Sequence, residues 1–189
     1  RMNQRIFVEK KSAFDVESYK VLAELQEFTP LTHLKQYVIY DVFDAQEQSW
    51  DKLKTVLLDA VADVVHINNP AASGTSSFAT EYLPGQYDQR ADSAGQAIQL
   101  VVGHKPAIRT GKLFVFNKVD DSELSKVKDY LINSVDSQEK DLSILVNPPI
   151  PKPTVVPTIE GFMELDENAL HTFHTEWSFS FDLADLKFI

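Results

Sequence analysis

The most informative stretch for chemistry is residues 81–94, Glu-Tyr-Leu-Pro-Gly-Gln-Tyr-Asp-Gln-Arg-Ala-Asp-Ser-Ala. It reads as a strand, a Pro-Gly turn and a helix start. A helix start gathers free backbone amides and the positive end of the helix dipole, so it favours an anion. Arg90 adds a mobile positive charge there. Gln86, Asp88 and Arg90 are therefore the candidate contacts for a small anion or a partner's carboxylate. The same residues have a plainer explanation, in which Pro84-Gly85 makes the turn, Asp88 caps the helix and Arg90 pairs locally. Asp88 in the cap position would also compete with any anion.

Little else points to catalysis. His171 and His174 stand three apart on an expected helix, but a structural zinc site wants four protein ligands and no third ligand has a diagnostic spacing. His33, His66 and His104 are scattered and read as surface or cap residues. With no cysteine, the chain lacks disulfides, thiol nucleophiles and thiolate metal sites. No phosphate loop of the Gly-x-x-x-x-Gly-Lys type, no Gly-x-Gly-x-x-Gly and no Gly-x-Ser-x-Gly elbow occurs. The expectation is no catalytic residue, no metal site and no cofactor in these 189 residues.

Composition narrows the partners. The net charge of −10 disfavours nucleic acid, whose phosphates reward Lys and Arg. No run approaches the ~20 apolar residues that span a bilayer. The start lacks the basic-then-apolar pattern of a signal segment, and Met2 reads as the native start behind Arg1. The absence of cysteine fits a reducing cytoplasm, which is the expected location.

The elements that would position the candidate residues follow from periodicity. Residues 5–9 read as a strand. Asp15 caps a helix whose apolar face is Val21, Leu25 and Phe28, stopped by Thr29-Pro30. Residues 34–43 are a strand rich in Tyr, Val and Ile. Ser49 caps a second helix, with Trp50, Leu53, Leu57, Ala60, Val61 and Val64 on its buried stripe. After a small-residue loop at 68–77 the order returns. Residues 78–83 form a strand, Asp88 caps a helix bearing Ala94, Ile98 and Val101, and 112–116 form a strand. Asp120 with Glu123 offers a capping box for a helix bearing Leu124, Val127 and Leu131.

The two runs align. Val42 matches Phe116, Trp50 matches Leu124, Leu53 matches Val127 and Leu57 matches Leu131, each 74 apart (116 − 42 = 74). In the preceding helices Val21 pairs with Ala94, Leu25 with Ile98 and Phe28 with Val101, each 73 apart. That period exceeds the ~20–50 residues of solenoid repeats and reads as duplication of a β-α-β-α unit. The expected fold is α+β: two such units, about 5–67 and 78–142, forming antiparallel sheet with helices on one face. This domain would span 1–146. A proline-rich connector follows at 147–160, and 161–189 would hold short helices, the last running out uncapped at Ile189 like a truncated second domain. Its apolar residues would support self-association.

At Arg5-Ile-Phe-Val-Glu-Lys-Lys11, and above all at 81–94, the chain resembles the long single-chain phosphoribosylformylglycinamidine synthases of bacteria. Residues 110–116, 130–142 and 181–188 are similar to later segments of that family, in the same order. The resemblance implies that this is the N-terminal domain, a fused and duplicated version of the small separate subunit of multi-subunit synthases. Leu83-Pro-Gly-Gln-Tyr-Asp88 would then be that subunit's Pro-Gly-x-x-Asp turn. The implied role is a non-catalytic scaffold that bridges the synthetase and glutaminase parts of a purine-biosynthetic ligase. The ATP, magnesium and glutaminase residues of the family would lie beyond Ile189. Gly95 departs from the pattern, standing where the family usually has a side chain. A different reading of the same residues is a free-standing regulatory module that senses a small anion at Arg90.

Overall fold

In the computed structural model, which describes residues 1–147, ten main elements succeed one another. They are β1 (Met2–Lys10), α1 (Val16–Gln26), β2 (Leu34–Ala45), α2 (Trp50–Leu57), β3 (Asp63–His66), β4 (Thr75–Tyr82), α3 (Gln89–Val102), β5 (Ala107–Asn117), α4 (Asp121–Leu131) and β6 (Ser137–Lys140). The proline-rich connector after Asn147, the helices expected beyond it, and His171 and His174 lie outside the described residues.

The six strands form one antiparallel sheet in the order β3-β1-β2-β5-β4-β6, which reads the same from either edge once the halves are exchanged. The register carries the same symmetry. Ile6 faces Tyr40 as Phe78 faces Phe114, and Phe7 faces His66 as Ala79 faces Lys140. The offset is thus 72 in the first strand (78 − 6), and 74 in the second (114 − 40) and third (140 − 66). It is 73 in the first helix, where cap Asp15 corresponds to cap Asp88. The offsets differ from element to element because the loops differ in length; what is conserved is the pairing, since a slip of one residue would turn every core residue outward. Where the halves meet, Val38 faces Lys112, its own equivalent at +74, so the pseudo-two-fold axis passes between them.

All four helices lie on one face of this sheet. Helices α2 and α3 cover Ile6, Val8, Tyr40 and Val42 through Leu53, Leu57 and Ile98. Helices α1 and α4 cover Phe78, Phe114 and Phe116 through Leu25 and Val127. The pairs exchange under the axis. Fully burying side chains of this size contributes about 1.5–3 kcal/mol each, so two equivalent apolar clusters hold the domain together.

The caps follow the sequence closely, with two exceptions. Asp15 accepts from the Ser18 amide, Asp88 from Ala91 and Asp120 from Glu123. Ser49 makes no side-chain cap, because a 3-10 turn at Glu47–Ser49 already leads the chain into α2. Glu123 does not return a bond to Asp120; it pairs with Lys126 instead. Three stripe assignments need correction. Helix α2 stops at Leu57, so Val61 is exposed and Val64 belongs to β3. Val101 is exposed and the inward position of α3 is Val102. Phe28 lies past the end of α1 and packs its ring on Tyr130 of α4, centroids 5.1 Å apart. Each half also ends in a short strand, β3 or β6, too brief and too polar for alternation to reveal.

The opposite face carries Phe7, Tyr37, Ile39, Ala79 and Leu113 together with a buried ion network. Arg5 clamps Asp41 with two bonds of 2.6 and 3.0 Å, and Lys140 reaches both Asp41 at 2.9 Å and Glu81 at 3.2 Å. The remaining Arg5 donors go to the carbonyls of Leu142 and Ile144, each at 2.6 Å, which ties the chain after β6 to the sheet.

Candidate functional site

The turn at 83–86 is built as its residues require. The Gln86 amide donates to the Leu83 carbonyl at 3.0 Å, and Gly85 has φ 87°, the left-handed value that the third position of a type II turn demands after proline. Asp88 follows. One oxygen accepts from the Ala91 amide at 2.9 Å, the other from the Thr110 amide at 2.8 Å, and both lie within 2.9 Å of the Thr110 hydroxyl. Asp88 is therefore occupied in tying α3 to β5. Asp15 does the same in the first half, bonding Ser18 and holding Lys35 of β2 at 2.6 Å.

Of the three candidate residues, Gln86 is exposed on the turn, Asp88 is consumed by the cap, and Arg90 alone turns toward a cleft. Two clefts open on the helical face beside the pseudo-two-fold axis, about 530 Å³ in the first half and about 270 Å³ in the second. Glu17, Gln36 and Arg90 line both. Glu17 and Arg90 are equivalents at +73, one in the first turn of α1 and the other in that of α3.

The floors differ. One row of facing residues crosses all six strands: Val65, Val8, Val38, Lys112, Thr80, Glu139. The first half of the row is valine throughout and the second half is polar. In the first cleft two ion pairs are closed, Lys10 with Asp63 and Asp15 with Lys35, both at 2.6 Å. In the second, Lys112 is exposed and, among the described residues, neither it nor Arg90 has an ion-pair partner. Thr80 lies beside Lys112 and is only 9% exposed.

Lys112 and Thr80 escaped the reading of motifs. Their signal was the alignment itself: extended across β2 and β5, an offset of 74 places a lysine against Val38 in the middle of β5.

Outside the cleft, Asp92 accepts from Lys105 at 2.8 Å and from Tyr87 at 3.0 Å. The Lys105 bond first, then that of Tyr87, holds its carboxyl below the usual range. Gly95 leaves room for the Lys105 stem, since a Cβ there would meet Lys105 Cε at 2.9 Å. Among the described residues no three His, Cys, Asp or Glu side chains group as metal ligands, and no helix is long and apolar enough to cross a membrane.

No protein-family model matches the chain, and no curated protein matches it.

Proposed function

We propose that this chain is a non-catalytic scaffold domain of a phosphoribosylformylglycinamidine synthase, docking between the synthetase and glutaminase parts of that ligase. The observation that carries the reading is the duplication within one continuous sheet. A fused pair of small subunits requires two equal halves related by a two-fold axis, and the register, caps and helix pairs here have that relation. The resemblance at 81–94 supplies the family. Its Pro-Gly-x-x-Asp turn accounts for Asp88 as a structural tie. The chemistry of the described residues supports a scaffold too: the buried charges on the sheet are paired with one another, and the caps are spent on backbone amides.

ATP and magnesium belong, on this reading, to the rest of the ligase, and the site of action is the cytoplasm. The chain alone should release neither phosphate nor glutamate from ATP, glutamine and formylglycinamide ribotide. Added to a synthase lacking its N-terminal domain, it should restore glutamine-dependent turnover. Turnover by the chain alone above a heat-killed control, or no restoration despite folded protein, would refute the proposal.

A further inference from the structure

The halves meet where β2 pairs with β5 about the pseudo-two-fold axis, so each half presents an edge that a copy of itself could also fill. Two first halves would set Val38 opposite a second Val38. Two second halves would set Lys112 opposite a second Lys112, and like charges directly opposite are unfavourable. What separates these pairings from the observed one is the set of contacts that cross the junction. Three of them join residues whose equivalents cannot replace them.

The first lies on the helix-free face. Lys140, only 8% exposed, passes over Gly111 and reaches Asp41 of the first half at 2.9 Å. At the offset of 74 the equivalent of Asp41 is Val115 (115 − 41 = 74) and that of Gly111 is Tyr37 (111 − 37 = 74). Two second halves would therefore aim a buried ammonium at valine, and two first halves would place a tyrosine ring where the lysine stem now runs. The second contact lies at the strand ends. The Asn117 side-chain oxygen accepts from the Thr32 and His33 amides at 3.0 and 3.2 Å. Phe43 is the equivalent of Asn117, and Pro106 and Ala107 are those of Thr32 and His33. Phenylalanine has no acceptor to give, and proline has no amide to receive one. The third contact joins α1 to α4. The Tyr130 hydroxyl donates to Glu24 at 3.0 Å while its ring packs on Phe28. The equivalents are Val56, Ala97 and Val101, which offer neither a hydroxyl, a carboxylate nor a ring.

We infer that the β2–β5 junction is a selective interface, by which a first half accepts a second half and refuses a copy of itself. Selectivity comes from what self-pairing would leave unmatched, above all the buried charge of Lys140. Arg5 strengthens the choice, because its bonds to the carbonyls of Leu142 and Ile144 reach into the other half, whereas its own equivalent at the offset of 72 is Ser77. Each chain carries one half of each kind, so penalising either self-pairing is enough to favour the unlike pair.

The test cuts the full folded chain once, at a protease site inserted in the loop between β3 and β4. The cut chain is unfolded in urea and its two pieces reassemble together. Native mass spectrometry then separates the three pairings by mass. Without discrimination about half of the first halves would pair with their own kind, whereas fewer than about one in fifty should do so in the native sequence. Lys140→Met removes the ammonium that a second half cannot satisfy, and should raise the self-paired share about fivefold or more. Tyr130→Val installs the residue of the other half on a half-exposed helix position, and should raise it by a smaller factor. A self-paired share near one half in the native sequence overturns the inference. So does a share that stays unchanged in both folded Lys140→Met and Tyr130→Val.

Discussion

The two halves of this sheet share a frame and differ in contents, and the difference shows which interactions build the fold and which were free to change. The shared items are geometric. A helix-cap aspartate ties the first helix of each half to its second strand, through Lys35 in one and Thr110 in the other. A carboxylate contact joins the outer strands on the helix-free face, Glu9 with His66 at 2.8 Å and Glu81 with Lys140 at 3.2 Å. The contents around those pairs diverge. In the first half Tyr37 packs edge-on against His66, centroids 5.8 Å apart. Its equivalent in the second half is Gly111, whose missing side chain leaves space for the Lys140 stem to cross and reach Asp41. The exchange turned a local contact into a network spanning both halves.

The comparison breaks most sharply at Asp41. Asp41→Ala leaves Arg5 and Lys140 charged and buried without their shared partner, and should cost about 3–5 kcal/mol by denaturant unfolding. Glu9→Gln, in the partly exposed pair of the first half, should cost under about 1 kcal/mol. Equal costs would mean that the network contributes nothing beyond its ancestral pair.

Gly111→Ala comes next. A Cβ at that position would stand 2.6 Å from the Thr80 carbonyl, which is backbone and cannot move aside. Overpacking of this kind should cost about 1–3 kcal/mol or more. Gly95→Ala should have the opposite sign. There the obstruction is the far end of Lys105, so the gain in helix propensity, about 0.8–1.0 kcal/mol, should outweigh the displaced lysine. A destabilised Gly95→Ala would show that Lys105 is held more firmly than its half-exposed pair with Asp92 suggests.

Between these in character are the caps. Asp88→Ala should cost more than the ~0.5–2 kcal/mol of a lost cap, because the Thr110 amide and hydroxyl lose their acceptor as well. Asp15→Ala should cost less than Asp88→Ala, since Lys35 retains Glu9 at 3.8 Å. The smallest effect concerns Asp92, whose carboxyl is held below its usual range by Lys105 and then Tyr87. A depressed carboxylate contributes stability that is complete above the ordinary carboxylate range and is lost as pH falls through its lowered value. Asp92→Asn should therefore flatten the acid limb of the stability profile slightly and leave neutral pH nearly unchanged.

Much of this frame was legible in the sequence. Three of the four caps, the inward stripes at Leu25, Leu53, Ile98 and Val127, and the duplication all follow from spacing, because burial fixes the period of apolar residues. What escaped has physical reasons. Strands β3 and β6 are four residues each, shorter than any alternation can announce. Helix α2 is shorter than its sequence suggests because Ala60, Val61 and Val64 continue an apolar pattern that the chain uses for a loop and an edge strand. The ion network joins residues 5, 41, 81 and 140, a proximity created only by the strand order. The cleft was half visible. Arg90 stood out as an unattached cation at a helix start, whereas Lys112 and Thr80 looked like ordinary strand residues until the halves were overlaid.

The measurement that bears most directly on the shared frame is the pairing at the junction of the halves, read from cross-strand nuclear Overhauser contacts in the labelled full chain. The two-fold relation predicts Val38 opposite Lys112, with Gln36 opposite Phe114 and Tyr40 opposite Thr110 on either side. Facing backbones in an antiparallel pair approach to about 4.5–5.5 Å, well within detection. Val38 opposite Gly111 or Leu113 instead would slip the strands by one residue, turn Lys112 away from the cleft and contradict the duplication.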